Sequence, residues 1–245
     1  MSPGTRRIES LWREPKRTAD QVEWPALEFR DVFRIFRSGP VETVALRGLE
    51  LRVERGELVA VLGPSGCGKS TMLALAAALD EPSAGEVRVA GRSLQRLGED
   101  ELASYRAREV ALVFQSDNLW PRLSARENVV TALRIAGAGI GEATDRAERA
   151  LGEFGLASRT NHRAGALSGG EQQRVAIAGA FARRAPLVLA DEPTGELDAR
   201  NESVVLDALG RLGDERRSVV VVTHSERVAA AAGRVIEMRD GRVSE

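Results

Sequence analysis

The chain has 245 residues, 43% of them apolar, and 35 basic side chains against 36 acidic ones, for a formal net charge of −1. That length suits one large α/β domain, or one core with an inserted subdomain, and the apolar share is enough for a substantial interior. The balanced charge supplies no long-range field for gripping nucleic acid, and the single cysteine, Cys67, can close neither an intrachain disulfide nor a zinc site.

Residues 1–26 are polar, mix both charges and read as a leader expected to lack fixed structure. No apolar core of a secretory signal is present in the first twenty residues, so none is expected. The longest aliphatic run, 72–79, falls far short of the ~18 residues a spanning helix needs, so any membrane spans are expected from another chain. The lone cysteine fits a reducing, cytoplasmic setting.

From 27 to 245 we expect a single domain. Segments 27–36 and 44–53 alternate as antiparallel strands, and 57–62 is a short buried strand running into a glycine loop. A helix is expected over 69–79 and a strand over 86–89. Residues from roughly 92 to 184 read as mainly helical, with helices over 99–108, 124–136, 142–154 and 171–184, and look like an inserted subdomain. Strand and helix then alternate: 187–190, 198–212, 219–223 and 226–232. Segments 235–238 and 242–244 flank an Asp240-Gly241 turn, the mark of a closing hairpin. This order predicts an α/β fold: a mostly parallel sheet with helices on both faces, an antiparallel β subdomain near the start, and the helical insertion.

The sharpest motif is Gly63-Pro64-Ser65-Gly66-Cys67-Gly68-Lys69-Ser70-Thr71, which satisfies G-x-x-x-x-G-K-[ST] at every fixed position, between an expected strand and an expected helix. Glycines let backbone N–H groups converge on phosphate oxygens, and the helix start adds partial positive charge. Lys69 supplies a cation for the outer phosphates, and the Ser70 hydroxyl suits Mg²⁺. Cys67, near that helix start, is expected to be readily alkylated until MgATP covers it. The loop alone says only nucleoside triphosphate.

A second element follows the apolar strand 187–190. Asp191 and Glu192 lie at its carboxyl end, where ligands of parallel sheets sit. Asp191 suits a water-mediated hold on Mg²⁺, and Glu192 suits a general base acting on a water. The plainer reading is a capping or turn pair.

The run Leu167-Ser168-Gly169-Gly170-Glu171-Gln172-Gln173-Arg174 resembles the LSGGQ signature of ABC ATPases, and the motif order over 27–242 resembles the ATP-binding subunits of ABC transporters. The resemblance implies ATP with Mg²⁺, and two copies of the chain (or one with a paralogous ATPase subunit) packed head to tail. The phosphate loop of one and Ser168, Gly169, Gly170 and Glu171 of the other would then enclose one ATP. It further implies that Gln115 is a Mg²⁺ and water ligand and that His224 contacts the γ-phosphate. Asp198 would cross the dimer, and it can equally cap the following helix. Phe36 stands where the family usually stacks a tyrosine on adenine, with Phe33 as a substitute. Ala164 stands where a proline is often found. The implied partner is a transmembrane permease, and the implied place is the cytoplasmic face of the membrane.

The first-strand spacing, Leu79-Asp80-Glu81-Pro82-Ser83-Ala84-Gly85 and Asp191-Glu192-Pro193-Thr194-Gly195 are similar to the branch that includes lipoprotein-release, macrolide-export and antimicrobial-peptide-export ATPases. The other readings are a soluble ABC protein of ribosomes or DNA, and a non-ABC P-loop kinase. Leu119 and Trp120, in a segment broken by Pro121, are either core residues or the apolar floor of a groove that docks the permease.

Overall fold

The computed structural model of the chain describes residues 23–116, 118–195, 197, 199–214 and 217–244. Most of the expected leader, and Asp198, lie outside the described residues.

Two sheets form the frame. The antiparallel one runs in the order β2-β1-β4-β5, from β1 (Leu27–Ser38), β2 (Val41–Val53), β4 (Ala84–Val89) and β5 (Arg92–Ser93). The second is built on β3 (Leu58–Leu62), β6 (Val110–Val113), β7 (Leu187–Asp191), β8 (Ser218–Thr223), β9 (Arg234–Arg239) and β10 (Arg242–Ser244), in the order β10-β9-β3-β8-β7-β6. Strands β9 to β6 pair in parallel, and β10 folds back antiparallel on β9. The hairpin turn puts Asp240 at φ 48° and Gly241 at φ 76°, the left-handed pair that a two-residue turn demands.

The central strands of the second sheet, β3, β7 and β8, are apolar on both faces because both are covered. Along β7 and β8, Val188, Ala190, Val219 and Val221 point into one core, and Leu187, Leu189, Val220 and Val222 into the other. The first core is shared with α3 (Ala125–Ile135), α4 (Ile140–Glu153), α5 (Gly169–Arg183) and α6 (Ala199–Asp214). The second is shared with the antiparallel sheet, α1 (Lys69–Ala76) and Tyr105 of α2 (Glu99–Arg108). Tyr105, fully buried, donates its hydroxyl to the Ala76 carbonyl at 2.5 Å and so ties α2 to the end of α1. A short helix, α7 (Glu226–Ala230), precedes β9.

Two expectations are corrected here. The helix expected over 69–79 stops at Ala76: Ala78 turns left-handed at φ 52°, and the Leu79 N–H reaches back to the Ala74 carbonyl at 2.9 Å. A run of alanines carries no sequence signal for that stop. Within 92–184, expected to be mainly helical, β6 forms the edge of the parallel sheet. Four residues are too few for periodicity to separate strand from helix, and the open edge of β7 decides it.

The loop from Leu119 to Ser124 is held by one buried side chain. Asn128 of α3, 4% exposed, accepts from the Trp120 N–H at 2.8 Å and donates to the carbonyls of Trp120, Leu123 and Ser124. The Ala164 N–H donates to the Leu123 carbonyl at 2.8 Å and the Gly165 N–H to Pro121 at 3.0 Å, so a proline at 164 would remove one of these ties. Replacing Asn128 by alanine strands buried polar groups of the loop. We expect Asn128→Ala to cost about 2 kcal/mol, read from the urea midpoint. A loss below about 0.5 kcal/mol would show that the loop is held by other means.

Candidate functional site

Four neighbouring parallel strands, β3, β8, β7 and β6, end along one edge of the second sheet. Their ends are level, with Leu62 beside Thr223, Val222 beside Asp191, and Ala190 beside Val113. At or just beyond these ends come the phosphate loop after β3, His224 after β8, Asp191 as the last residue of β7 with Glu192 after it, and Gln115 after β6. Motifs far apart in the chain are thereby gathered where parallel sheets bind ligands.

The phosphate loop owes its shape to glycine. Gly66 and Gly68 have φ of 78° and 106°, so the chain reverses hand twice and the intervening N–H groups turn toward a common centre. Space is also lacking for anything larger: a β-carbon on Gly63 would lie 2.2 Å from the Met238 carbonyl oxygen, and one on Gly68 2.5 Å from that of Ala45. Gly68 caps α1, leaving the first-turn N–H groups of Lys69, Ser70 and Thr71 at the loop. Lys69, 9% exposed, donates from Nζ to the carbonyls of Gly63 at 2.7 Å and Pro64 at 3.0 Å, which holds its ammonium across the loop. Pro64 and Ser65 are exposed at the rim. Cys67 is only 5% exposed and its carbonyl accepts from the Gly241 N–H at 2.9 Å. The ready alkylation expected of its thiol is therefore corrected: the side chain plugs the space behind Gly63 rather than facing solvent.

The Ser70 hydroxyl lies near enough to the Asp191 carboxylate to interact with it. Burial pushes the Asp191 carboxyl above the usual carboxylate range; the Ser70 hydroxyl opposes this, Glu192 adds to it, and Lys69 opposes it. A half-buried carboxylate and a neighbouring hydroxyl beside a phosphate loop fit Mg²⁺, a hard cation that takes few protein ligands and fills its shell with phosphate oxygen and water.

Glu192 sits in the left-handed region at φ 45°, a conformation that costs on the order of 1–3 kcal/mol for a residue with a side chain. It is held there by its N–H to the Val222 carbonyl at 2.9 Å and by the Gly195 N–H to its own carbonyl at 3.1 Å. The result is a carboxylate turned toward β8: one oxygen accepts from the His224 backbone N–H at 3.2 Å, the other lies 3.0 Å from His224 Nδ1. The imidazole is otherwise open, 72% exposed, whereas the carboxylate is 14% exposed. Gln115 lines a small cavity with Glu192, Pro193 and Gly195, and with Gly169 and Gln172 of α5.

Sequence reasoning missed the two side chains that fix the Gln115 loop. Asn118 accepts from the Phe114 N–H at 2.8 Å, and donates to the Phe114 carbonyl at 2.7 Å and to Gln173 at 3.2 Å. Gln173 donates to that same carbonyl at 3.2 Å. The available signal was a glutamine on the buried side of α5, 8% exposed among Val175, Ile177 and Ala178.

Ser168 caps α5, accepting from the Glu171 N–H at 3.3 Å, while the Glu171 carboxylate accepts from the Ser168 N–H at 2.9 Å and from Arg159 Nε at 2.9 Å. The Ser168 N–H, then Arg159, hold that carboxyl below its ordinary range. Glu171 therefore shapes the Ser168-Gly169-Gly170 turn. Among the described residues no hydrogen bond joins this turn to the phosphate loop of the same chain. Phe36 is 40% exposed on β1, opposite Thr43 of β2. Phe33 is half-buried against Gly48 and offers less open ring.

Gly68→Ala should weaken ATP binding about tenfold or more, because both its φ and its contact with Ala45 forbid a β-carbon. Gly210→Ala on α6, where a β-carbon meets open space, should leave binding unchanged. Titration with a fluorescent ATP analogue compares them, and equal affinity of the two variants would contradict the packing described.

The ABC transporter family pattern matches residues 46–195. The lipoprotein-releasing system ATP-binding protein LolD of Geobacter metallireducens is 44% identical over 218 residues, which cover 89% of this chain and 97% of LolD. The macrolide export ATP-binding/permease protein MacB of Wolinella succinogenes is 44% identical over 223 residues, 91% of this chain but 35% of MacB, so the chain spans about a third of such relatives. Among solved structures, the ABC cassette MJ0796 in a dimeric post-hydrolysis state with ADP and phosphate is 38% identical, with a TM-score of 0.85 over 89% of this chain and 97% of that one. A second dimeric structure of MJ0796, at 39% identity, gives the same TM-score of 0.85. With the phosphate loop, the paired acids and the capped signature turn in the places described, this chain belongs to the ABC transporter ATP-binding family.

Proposed function

We propose that the chain binds and hydrolyses ATP to drive a transmembrane permease, in export or in transmembrane force transmission, with residues 27–245 as the ATPase domain and the helices of 92–184 as its insertion. The observation that carries the reading is Glu192, held in a strained conformation with its carboxylate fixed by His224, next to the Ser70–Asp191 pair. LolD, an ATP-binding protein matched along nearly its whole length, and MacB, which joins ATP-binding and permease parts, both support it. Among the described residues no helix is long and apolar enough to cross a membrane, so the permease would be additional protein.

In this reading the loop N–H groups and Lys69 bind the phosphates. Ser70 and Asp191, with Gln115, would hold Mg²⁺, which supplies charge neutralisation on the phosphate oxygens. Glu192 accepts the proton of the attacking water, and His224 fixes its carboxylate and reaches the γ-phosphate. Phe36 stacks on the base. The Ser168-Gly169-Gly170 turn of a second copy closes the site, as the dimeric state of MJ0796 supports, and Asp198 crosses between the copies. The assembly works at the cytoplasmic face of the membrane.

The permease would dock in the groove between α2, α3 and α5. Trp120 is 52% exposed and Ile135 61% exposed there, with Leu119 packed against the helical core below. The alternative of Trp120 as a core residue does not match that exposure.

Glu192→Gln should lower steady-state turnover at least about 100-fold while ATP binding survives, and ATP should then hold two chains together in size-exclusion chromatography. Near-normal turnover would remove Glu192 as the base. Lys69→Ala should weaken nucleotide binding itself. Trp120→Glu should keep folding and ATP binding yet lose co-purification with the permease; an aromatic anchor of this kind contributes about 2 kcal/mol or more. Full-strength co-purification would place the docking surface elsewhere.

A further inference from the structure

The ring of Phe36 is covered on one face. Arg34, two residues earlier on the same face of β1, places its guanidinium carbon 4.5 Å from the ring centroid. The guanidinium is itself fixed by a two-pronged pair with Asp80, Nε to one oxygen and Nη2 to the other, each at 2.7 Å. Neither partner is fully in water, at 23% and 27% exposure. Asp80 is anchored in turn, since its Oδ1 also accepts from the Glu81 N–H at 2.8 Å. It stands just after the left-handed turn that ends α1, the helix whose other end carries the phosphate loop. On the far side, Phe36 pairs with Thr43, two residues from Ala45, whose carbonyl abuts Gly68. At about 3.3 Å per strand residue, the ring stands roughly 7 Å along β2 from the loop contact.

We propose that Arg34 is a positioning residue for the nucleotide base. A phenyl ring has no polar atom by which it can be oriented, and a ring that is 40% exposed would otherwise sample several rotamers. The guanidinium covers one face of Phe36 and leaves the opposite face for the base, so the base stacks in a single place set by Asp80. The bidentate geometry matters as much as the charge: a lysine could offer a cation but not a planar plate fixed by two bonds. Because Asp80 follows the turn that ends α1, the stacking ring and the phosphate loop are referenced to the same helix, which fixes the span between base and phosphates.

This inference rests on Phe36 being the base-stacking residue, and the experiment separates the two. With Mg²⁺ present, the full chain and its Phe36→Ala, Arg34→Met and Asp80→Asn variants are titrated with ATP and with inorganic tripolyphosphate, which has phosphates but no base. Steady-state KM and kcat are measured for ATP. Arg34→Met and Asp80→Asn should each weaken ATP binding and raise KM about fivefold, with kcat held within about twofold, and leave tripolyphosphate binding unchanged. If Phe36→Ala leaves ATP affinity intact, the base-stacking assignment itself fails. If Phe36→Ala weakens ATP but the Arg34 and Asp80 variants do not, the stacking stands and the positioning role is overturned. Equal losses for ATP and tripolyphosphate in the Arg34 variant would show that it acts through the position of α1, which also overturns the proposal.

Discussion

The phosphate loop is wedged between two main chains at distances that leave no room for a β-carbon. Gly63 abuts the Met238 carbonyl of β9, and Gly68 abuts the Ala45 carbonyl of β2. The loop therefore touches both sheets at once, and its curvature is imposed by contact as well as by intrinsic φ preference. Everything else at the site is measured from it. Lys69 bonds to its carbonyls, Ser70 reaches Asp191 from the first turn of the helix it begins, and Phe36 lies a short way along the strand that Gly68 presses.

The remaining groups are set by the parallel sheet and by a few buried amides. Level strand ends bring Glu192, His224 and Gln115 to the same edge, but level ends do not aim side chains. Aim comes from polar ties: Glu192 to His224, Asn118 and Gln173 to the backbone at Phe114, and Asn128 to the loop beneath Trp120. At Asn128 and Gln173, which are buried, loss of the amide would leave donors or acceptors unmatched, which makes the arrangement there single-valued rather than merely stable. The same amides connect regions of different proposed duty. Gln173 belongs to the helix that Ser168 caps, and the backbone it holds carries Gln115.

Much of this was legible in the sequence, for identifiable reasons. Glycine spacing between a strand and a helix declared the phosphate loop, and an apolar run ending in two acids declared β7. Both signals are local, so no tertiary knowledge was needed. The closing hairpin was equally plain from Asp240-Gly241. What failed to show depends on partners distant in the chain. Strand β6 exists because β7 has an open edge, and α1 ends at Ala76 without a breaker in the sequence. The Arg34–Asp80 pair joins residues 46 positions apart, in two segments that each look ordinary. Cys67 looked reactive because its neighbours in sequence form a helix start, yet its neighbours in space enclose it.

The hairpin turn between β9 and β10 has a consequence for the order of folding. Gly241 donates to the Cys67 carbonyl of the phosphate loop and accepts from the Arg47 N–H of β2, and a β-carbon on it would lie 2.6 Å from the Ala45 carbonyl. These ties join a turn at position 241 to a loop and a strand at positions 67 and 47, far away along the chain. A chain in which the glycine loop, both acids and the signature turn have formed still lacks the brace under that loop until this hairpin docks. The final shape of the phosphate loop therefore depends on contacts of high sequence separation, which carry the largest loop-closure cost and are the slow ones to form.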